Sequence, residues 1–329
     1  MRVGSTPGGG AGLYEPPTSG HGSDVAPGTL AARTLPAMSA AIPVYQLNAL
    51  PEPAEKATAF FFLGPGSAPA HLPIALPYRS DYYKIGICLR GSARLNVNLE
   101  TYDIGPDSLM LLSPYVIKQW PFMSADLEAL SVFFTKDFSA AGGGPNPDAF
   151  AFFERDARHV VALPPAQAAR LAELLRAIEQ QYAAPHTYRE EILRSLIHIL
   201  LHETAPIYSA QHGLSATTQT RSQQLATKFK QLANSHYATE RGLAFYADKL
   251  CITPKHLAET VKEATGKRAV VWLAEAVLLE ARVLLQNPTL PIAHIADTLH
   301  FADQSAFGRF FRKSSGISPA AYRQRWAKQ

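Results

Sequence analysis

At 329 residues the chain has room for about two domains of roughly 100–200 residues each, and its 47% hydrophobic content is enough to fill real cores. The chain has 25 Pro and 21 Gly, densest in the first 75 positions, and the mixed composition excludes a collagen, a coiled-coil fibre and a chain disordered throughout. The formal charge of +4 conceals an asymmetry: residues 221–329 hold 16 Lys+Arg against 8 Asp+Glu, a net of +8, leaving −4 upstream. A localised basic excess marks a polyanion binder, and equally a solvated helical surface.

The two cysteines, Cys88 and Cys251, lie too far apart in sequence for a cysteine zinc finger or a disulfide scaffold, which fits a reducing compartment. No apolar run approaches the roughly 18 residues of a membrane span, and the start lacks the apolar core of a secretory signal. The expectation is a soluble cytoplasmic protein with no membrane partner.

Residues 1–43 are Gly, Pro, Ser, Thr and Ala without apolar periodicity and read as a disordered tail, so that Met38 is an alternative initiator to Met1. From Val44 to Thr135 short β-rich runs follow: AFFFL at 59–63, YYKIGICLR at 82–90, SARLNVNLE at 92–100, SLMLLS at 108–113 and LEALSVFFT at 127–135. In 92–100, Ala93, Leu95, Val97 and Leu99 alternate with polar residues, which predicts one half-buried strand. Close spacing and intervening turn formers predict an antiparallel sandwich or small barrel.

Two helices come next. Leu171, Leu174, Leu175, Ile178 and Tyr182 make one stripe, opened by Pro164-Pro165 and closed by Pro185. The second helix carries Ile192, Leu193, Leu196, Ile197, Ile199, Leu200 and Leu201, apolar on more than one stripe. Packing on the barrel and on a second subunit satisfies both stripes, as does simple burial within one chain; Leu196 and Leu200 are the candidates for a homodimer interface. Tyr208–Thr220 reads as a polar linker, and everything beyond it as helix.

In LAFYADKLCITPKHLAETVKEATG, Leu243, Ala244, Ala247 and Leu250 form an inner face, CIT turns the chain, and Thr253 caps a second helix beginning at Pro254 and stopped by Gly266. Leu257 and Val261 face inward, leaving Lys255, Ala258, Glu259 and Lys262 outside. The grammar recurs about 49 residues later. Ile292, Ala293, Ala296 and Leu299 repeat the inner face, His300-Phe301-Ala302 turns, Asp303 caps, and Gln304–Lys313 forms the second helix before Gly316. Phe307, Phe310 and Phe311 go inside; Gln304, Ser305, Gly308, Arg309 and Arg312 stay outside, types suited to base edges and phosphates. One helix carrying Val270, Leu273, Val277, Ala281 and Leu284 joins the units. Tandem helix-turn-helix units on a rigid connector suit successive major grooves, ~34 Å apart.

Residues 221–329 resemble the DNA-binding domain of the AraC/XylS family of bacterial transcription regulators, above all in IADTLHFADQSAFGRFFRKSSGISPAAYR with Phe301, Phe307, Phe311, Gly316, Pro319, Tyr322 and Arg323. The resemblance implies a transcription regulator, an activator, with double-stranded DNA and RNA polymerase as partners. It implies base-reading positions at Lys255, Ala258, Glu259, Gln304, Ser305, Gly308 and Arg309. His300 departs from the glycine usual in that turn. More loosely, PYRSDYYKIGICLRGSARLNV and DSLMLLSPYVIKQW resemble the family's cupin-type sensor.

The fold class expected is therefore α+β: a cupin-like barrel with dimerisation helices (44–207), a linker (208–220) and an all-α double helix-turn-helix domain (221–329). The family's usual histidines near Tyr78 and Lys118 are absent, and 44–140 holds only His71, which argues against a metal-dependent cupin. His198 and His202 share a helix face without a third ligand, so no metal, cofactor or catalytic residue is assigned. Arg79, Lys84, Lys118 and Trp120 suit a polar small-molecule effector inside the barrel, although exposed strand charges and a core Trp explain them equally. The competing reading is a cupin enzyme anchored to nucleic acid by its basic third.

Overall fold

A computed structural model describes residues 42–50, 59–65, 72–184, 186–213 and 220–326. The expected tail, Met38, His71, Pro185 and residues 214–219 of the expected linker lie outside these, except that Ile42 and Pro43 are described. The fold is mixed α+β, a sheet region followed by helices.

The strands are β1 (Val44–Tyr45), β2 (Phe60–Leu63), β3 (Arg79–Ser80), β4 (Tyr83–Arg90), β5 (Ala93–Val97), β6 (Glu100–Ile104), β7 (Ser108–Leu112), β8 (Lys118–Met123), β9 (Glu128–Phe134) and β10 (Val160–Ala162). They form a five-stranded sheet in the order β10-β7-β4-β9-β2, a three-stranded sheet β6-β5-β8, and the short parallel pair β1-β3. The run 92–100 is not one strand. Asn98 adopts a left-handed φ of 58°, and Val97 pairs with Glu100, so a two-residue turn folds β5 onto β6. Asn tolerates that backbone, and its Oδ1 accepts the Ile117 amide at 3.1 Å.

The larger sheet is buried on both faces, which is why β7 is buried throughout and apolar after Ser108. Leu109 and Leu111 share one core with α2 (Pro165–Ala183) and α3 (Arg189–His212), whereas Met110 and Leu112 share another with Leu95, Val97 and Trp120 of the smaller sheet. A short helix, α1 (Lys136–Ala140), leads from β9 toward α3. Helix α3 overruns the expected linker, ending at His212 with Gly213 left-handed behind it. The anchor is Tyr208, buried against Phe152, its hydroxyl accepting the Arg158 amide at 3.0 Å. One buried aromatic holds in the helix a stretch whose composition alone reads as loop.

The C-terminal helices are α4 (Arg221–His236), α5 (Leu243–Lys249), α6 (Pro254–Thr265), α7 (Ala269–Leu285), α8 (Ile292–Thr298), α9 (Gln304–Ser315) and α10 (Pro319–Trp326). One core joins α4, α5, α6 and the first half of α7; a second joins the rest of α7 to α8 and α9 and takes in Ile42 and Ile117 from the sheet region. Phe301 and Phe310 pack against both cores.

Candidate nucleic-acid interface

Both helix pairs fold through the same backbone device. After α5, Cys251 takes φ 55° and Ile252 N–H reaches back to Ala247 O at 3.0 Å; after α8, His300 takes φ 53° and Phe301 N–H reaches Ala296 O at 2.9 Å. Each is a six-to-one helix ending in which a non-glycine residue occupies the left-handed site. The departure at His300 therefore keeps the turn, and Cys251 makes the same departure in the first unit. The second helices start as their caps dictate: Thr253 Oγ1 accepts His256 N–H at 3.2 Å with Pro254 following, and Asp303 Oδ1 accepts Ala306 N–H at 2.6 Å. Gly266 (φ 71°) and Gly316 (φ 82°) stop them.

Two inner-face assignments need correction. Ala244 and Ala293 are exposed; the buried pairs are Tyr246-Ala247 in α5 and Ile295-Ala296 in α8. In a seven-residue helix one buried turn suffices, and the larger Tyr246 and Ile295 take it. Leu257 and Val261, and Phe307 and Phe311, are buried as expected, while Phe310 is only half-buried because it bridges the two units.

Opposite these cores, Lys255, Glu259 and Lys262 of α6 are exposed and Ala258 is half-buried. On α9, Gln304, Ser305, Arg309 and Arg312 are exposed, and a Cβ added at Gly308 would meet open space. Each helix thus turns a continuous wet face outward, with small residues at its centre. The 17-residue α7, ~25 Å at 1.5 Å per residue, spaces the units. Arg241, which sequence reading passed over, locks them: its guanidinium sits 3.8 Å from the Phe301 ring centroid and donates to Leu299 O at the end of α8. Arg323 donates to Leu290 O at 2.6 Å and Leu285 O at 3.4 Å, so its place in the motif is structural. A lone Arg before a helix carries no pattern that would reveal such a lock.

In the sheet region, Lys84, Lys118 and Trp120 line a cavity of about 70 Å³ between the two sheets. Lys118, 1% exposed, donates to Ser80 Oγ, and the Lys84 ammonium lies 4.6 Å from the Trp120 ring centroid. Burial lowers Lys84 to about 8, and burial together with the charge of Lys84 lowers Lys118 to about 7. Arg79 is not with them. It points from β3 to the helices, where it donates to the Tyr237 hydroxyl, which donates to Glu280 of α7; Arg79 and Glu280 lie 3.6 Å apart. His198 and His202 serve packing: His198 contacts Ser139 O at 2.8 Å and His202 lies against Phe150. Among the described residues no group of three or more His, Cys, Asp or Glu is placed to hold a metal, and no helix is long and apolar enough to cross a membrane.

Paired caps, twin turns and outward polar faces define a DNA-binding regulator of the helix-turn-helix class. Residues 246–325 match the family described as a helix-turn-helix domain. The chain is 23% identical over 249 residues to the Msm operon regulatory protein of Streptococcus mutans, covering 75% of this chain and 86% of that one. It is 30% identical over 92 residues to the arabinose operon regulatory protein of Salmonella typhimurium, covering 28% and 31% respectively. Among solved structures, apo ToxT of Vibrio cholerae aligns over 82% of this chain and 98% of its own, at 15% identity and a TM-score of 0.36. The family match over residues 246–325 and these relatives support a DNA-binding regulator of the AraC type.

Proposed function

We propose that the protein is a sequence-specific transcription regulator in which a cupin-like sensor and dimerisation half, ending with α3 at His212, is joined by 213–220 to a reader at 221–329, and in which α6 and α9 enter successive major grooves. In this reading Lys255, Ala258 and Glu259 read bases in one groove, Gln304, Ser305, Gly308 and Arg309 in the next, and Lys262 and Arg312 flank them. The observation that carries it is the pair of exposed recognition faces on one locked framework, in the third of the chain that holds the positive charge. A small-molecule effector occupies the cavity between the sheets, a homodimer forms through the exposed stripe of α3, and activation works through RNA polymerase. Support for the effector is an apolar cavity carrying two cations; support for the dimer is the exposure of Tyr188, Ile192 and Ile199 along one side of α3.

Arg309 gives the sharpest test. Arg309→Ala is expected to cost about 1–3 kcal/mol on the cognate site and to relax preference at one position. Lys313→Ala, nearer the helix end, is expected to weaken all sequences alike and flatten the salt slope by about one unit. Selection from a randomised operator library by wild type and both variants separates these outcomes. Unchanged affinity and preference in Arg309→Ala would mean that α9 does not read DNA.

A further inference from the structure

The cavity between the sheets carries a chemical mismatch. Its wall is almost wholly apolar, with Ile104, Met110, Leu112, Met123, Leu127 and Phe133 among the lining side chains, yet two lysines enter it and no carboxylate among the described residues lines it. Lys84 is half-buried, and its ammonium lies against the rings of Trp120 at 4.6 Å and Phe133 at 5.3 Å, with no salt bridge to it among the described residues. Lys118 has one neutral acceptor, Ser80 Oγ. Asp81, the nearest acid to act on Lys118, is exposed and holds the Leu47 amide. Buried ammonium groups without a counter-ion are costly and are found paired when they can be. The wider cleft of about 470 Å³ beside α4 and α7 differs, since its lysines are already matched, Lys230 by Glu154 and Lys267 by Glu275.

We infer, resting on the effector reading above, that this cavity binds a small organic monoacid, with Lys84 and Lys118 holding its carboxylate and the apolar wall and the Trp120 face holding its hydrocarbon body. A neutral polyol does not fit: it would need several acceptors and donors, whereas the Tyr78 hydroxyl is already engaged by Trp120 Nε1 at 3.2 Å. A cation is excluded by the two ammonium groups. The cavity's size admits the head group and a short body, since about 10–15 Å³ of such space holds one water. Because both lysines are held below the usual lysine range, binding draws protons onto them, and the acid binds more weakly as pH rises through that range. The groups facing them are each other, Tyr78 and Tyr82, with Arg79 and Asp81 further out.

The chain's three tryptophans allow a direct readout. In full-length protein carrying Trp272→Phe and Trp326→Phe, Trp120 is the sole tryptophan, and its emission reports the cavity. Titrations use butyrate, hexanoate and octanoate, the matching 1-alkanols, and inorganic phosphate. Expected is a saturable change with the acids, at least tenfold weaker for the alcohols and for phosphate, weaker at pH 9 than at pH 7, and reduced at least tenfold by Lys84→Met or Lys118→Met. Lys84→Arg, with the charge kept, is expected to retain binding and guards against a variant that merely misfolds. Alcohols or phosphate binding as tightly as the acids, acids binding unchanged to both Met variants, or no saturable signal with any acid overturns the assignment. Operator affinity measured in parallel separates the two readings: an acid that binds without altering operator affinity removes the effector reading and leaves the ligand class standing.

Discussion

Lys118 is the most consequential single residue outside the reader. Burial and the neighbouring Lys84 bring it from the ordinary 10.5 to about 7, and burial brings Lys84 to about 8. Between these values and 10.5 the unfolded chain binds protons that the folded chain has released, so stability rises with pH across that window. Above it the trend reverses, because burial raises the hydroxyls of Tyr78 and Tyr83, which keep protons that the unfolded chain loses. Urea denaturation is expected to show stability climbing by roughly 2–4 kcal/mol from pH 7 to pH 10. Lys118→Met should flatten much of that climb and be more stable than wild type at pH 7; a wild-type profile flat over this range would mean that both ammonium groups are solvated. Sequence reading reached this site only in part. Lys84, Lys118 and Trp120 were legible as candidates, but whether a strand residue points inward depends on pairing, and Arg79 points to the other domain. At the turns, His300 was legible as a departure and Cys251 was not, since only the traced backbone gives Cys251 its φ of 55°.

At the level of elements, α3 shows how a two-striped helix divides its faces. Leu193, Ile197, Leu200 and Leu201 are core, Leu196 is half-buried, and Ile192 and Ile199 are 37% and 46% exposed, with Tyr188 at 69% just before the helix. Leu200 is therefore no interface residue; Leu200→Glu would bury a charge and unfold the region. The interface test belongs to Ile192→Glu and Ile199→Glu together. Analytical ultracentrifugation is expected to show a shift from dimer to monomer with the circular dichroism spectrum kept, and an unchanged dimer would place the interface elsewhere. The recognition helices were far more legible: cap, Pro and Gly mark their ends, and each buried apolar pair follows helical spacing. Ala244 and Ala293 were misplaced because alanine fits either face and only the neighbour decides.

At the scale of the whole molecule, the sheet region and the reader meet through a buried cluster of Arg79, Tyr237 and Glu280, with the Arg155 guanidinium 4.7 Å from the Tyr237 ring centroid. Glu280 is the one carboxylate among these groups, so Glu280→Gln leaves two buried cations without an anion. The expected loss is about 3–5 kcal/mol in chemical denaturation, with hydrogen exchange rising at β3 and α7 together. A loss below about 1 kcal/mol, or exchange rising in α7 alone, would show that the cluster does not tie the two regions. None of this was visible in the chain, where Arg79 and Glu280 stand some two hundred residues apart.

The sequence by itself determined the features set by local rules: the caps and stops of α6 and α9, the length of α7, the basic bias of the last third, and the β-rich character of 59–135. These follow from side-chain chemistry acting within a few residues, which a linear reading sees. Tertiary structure alone decided the turn at Asn98, the helical fate of Tyr208–His212, the split of α3 into core and exposed stripes, and the meeting of Lys84 with Lys118. Each depends on which partner lies across the fold. Burial and charge are properties of a neighbourhood, and the neighbourhood exists only once the chain has folded.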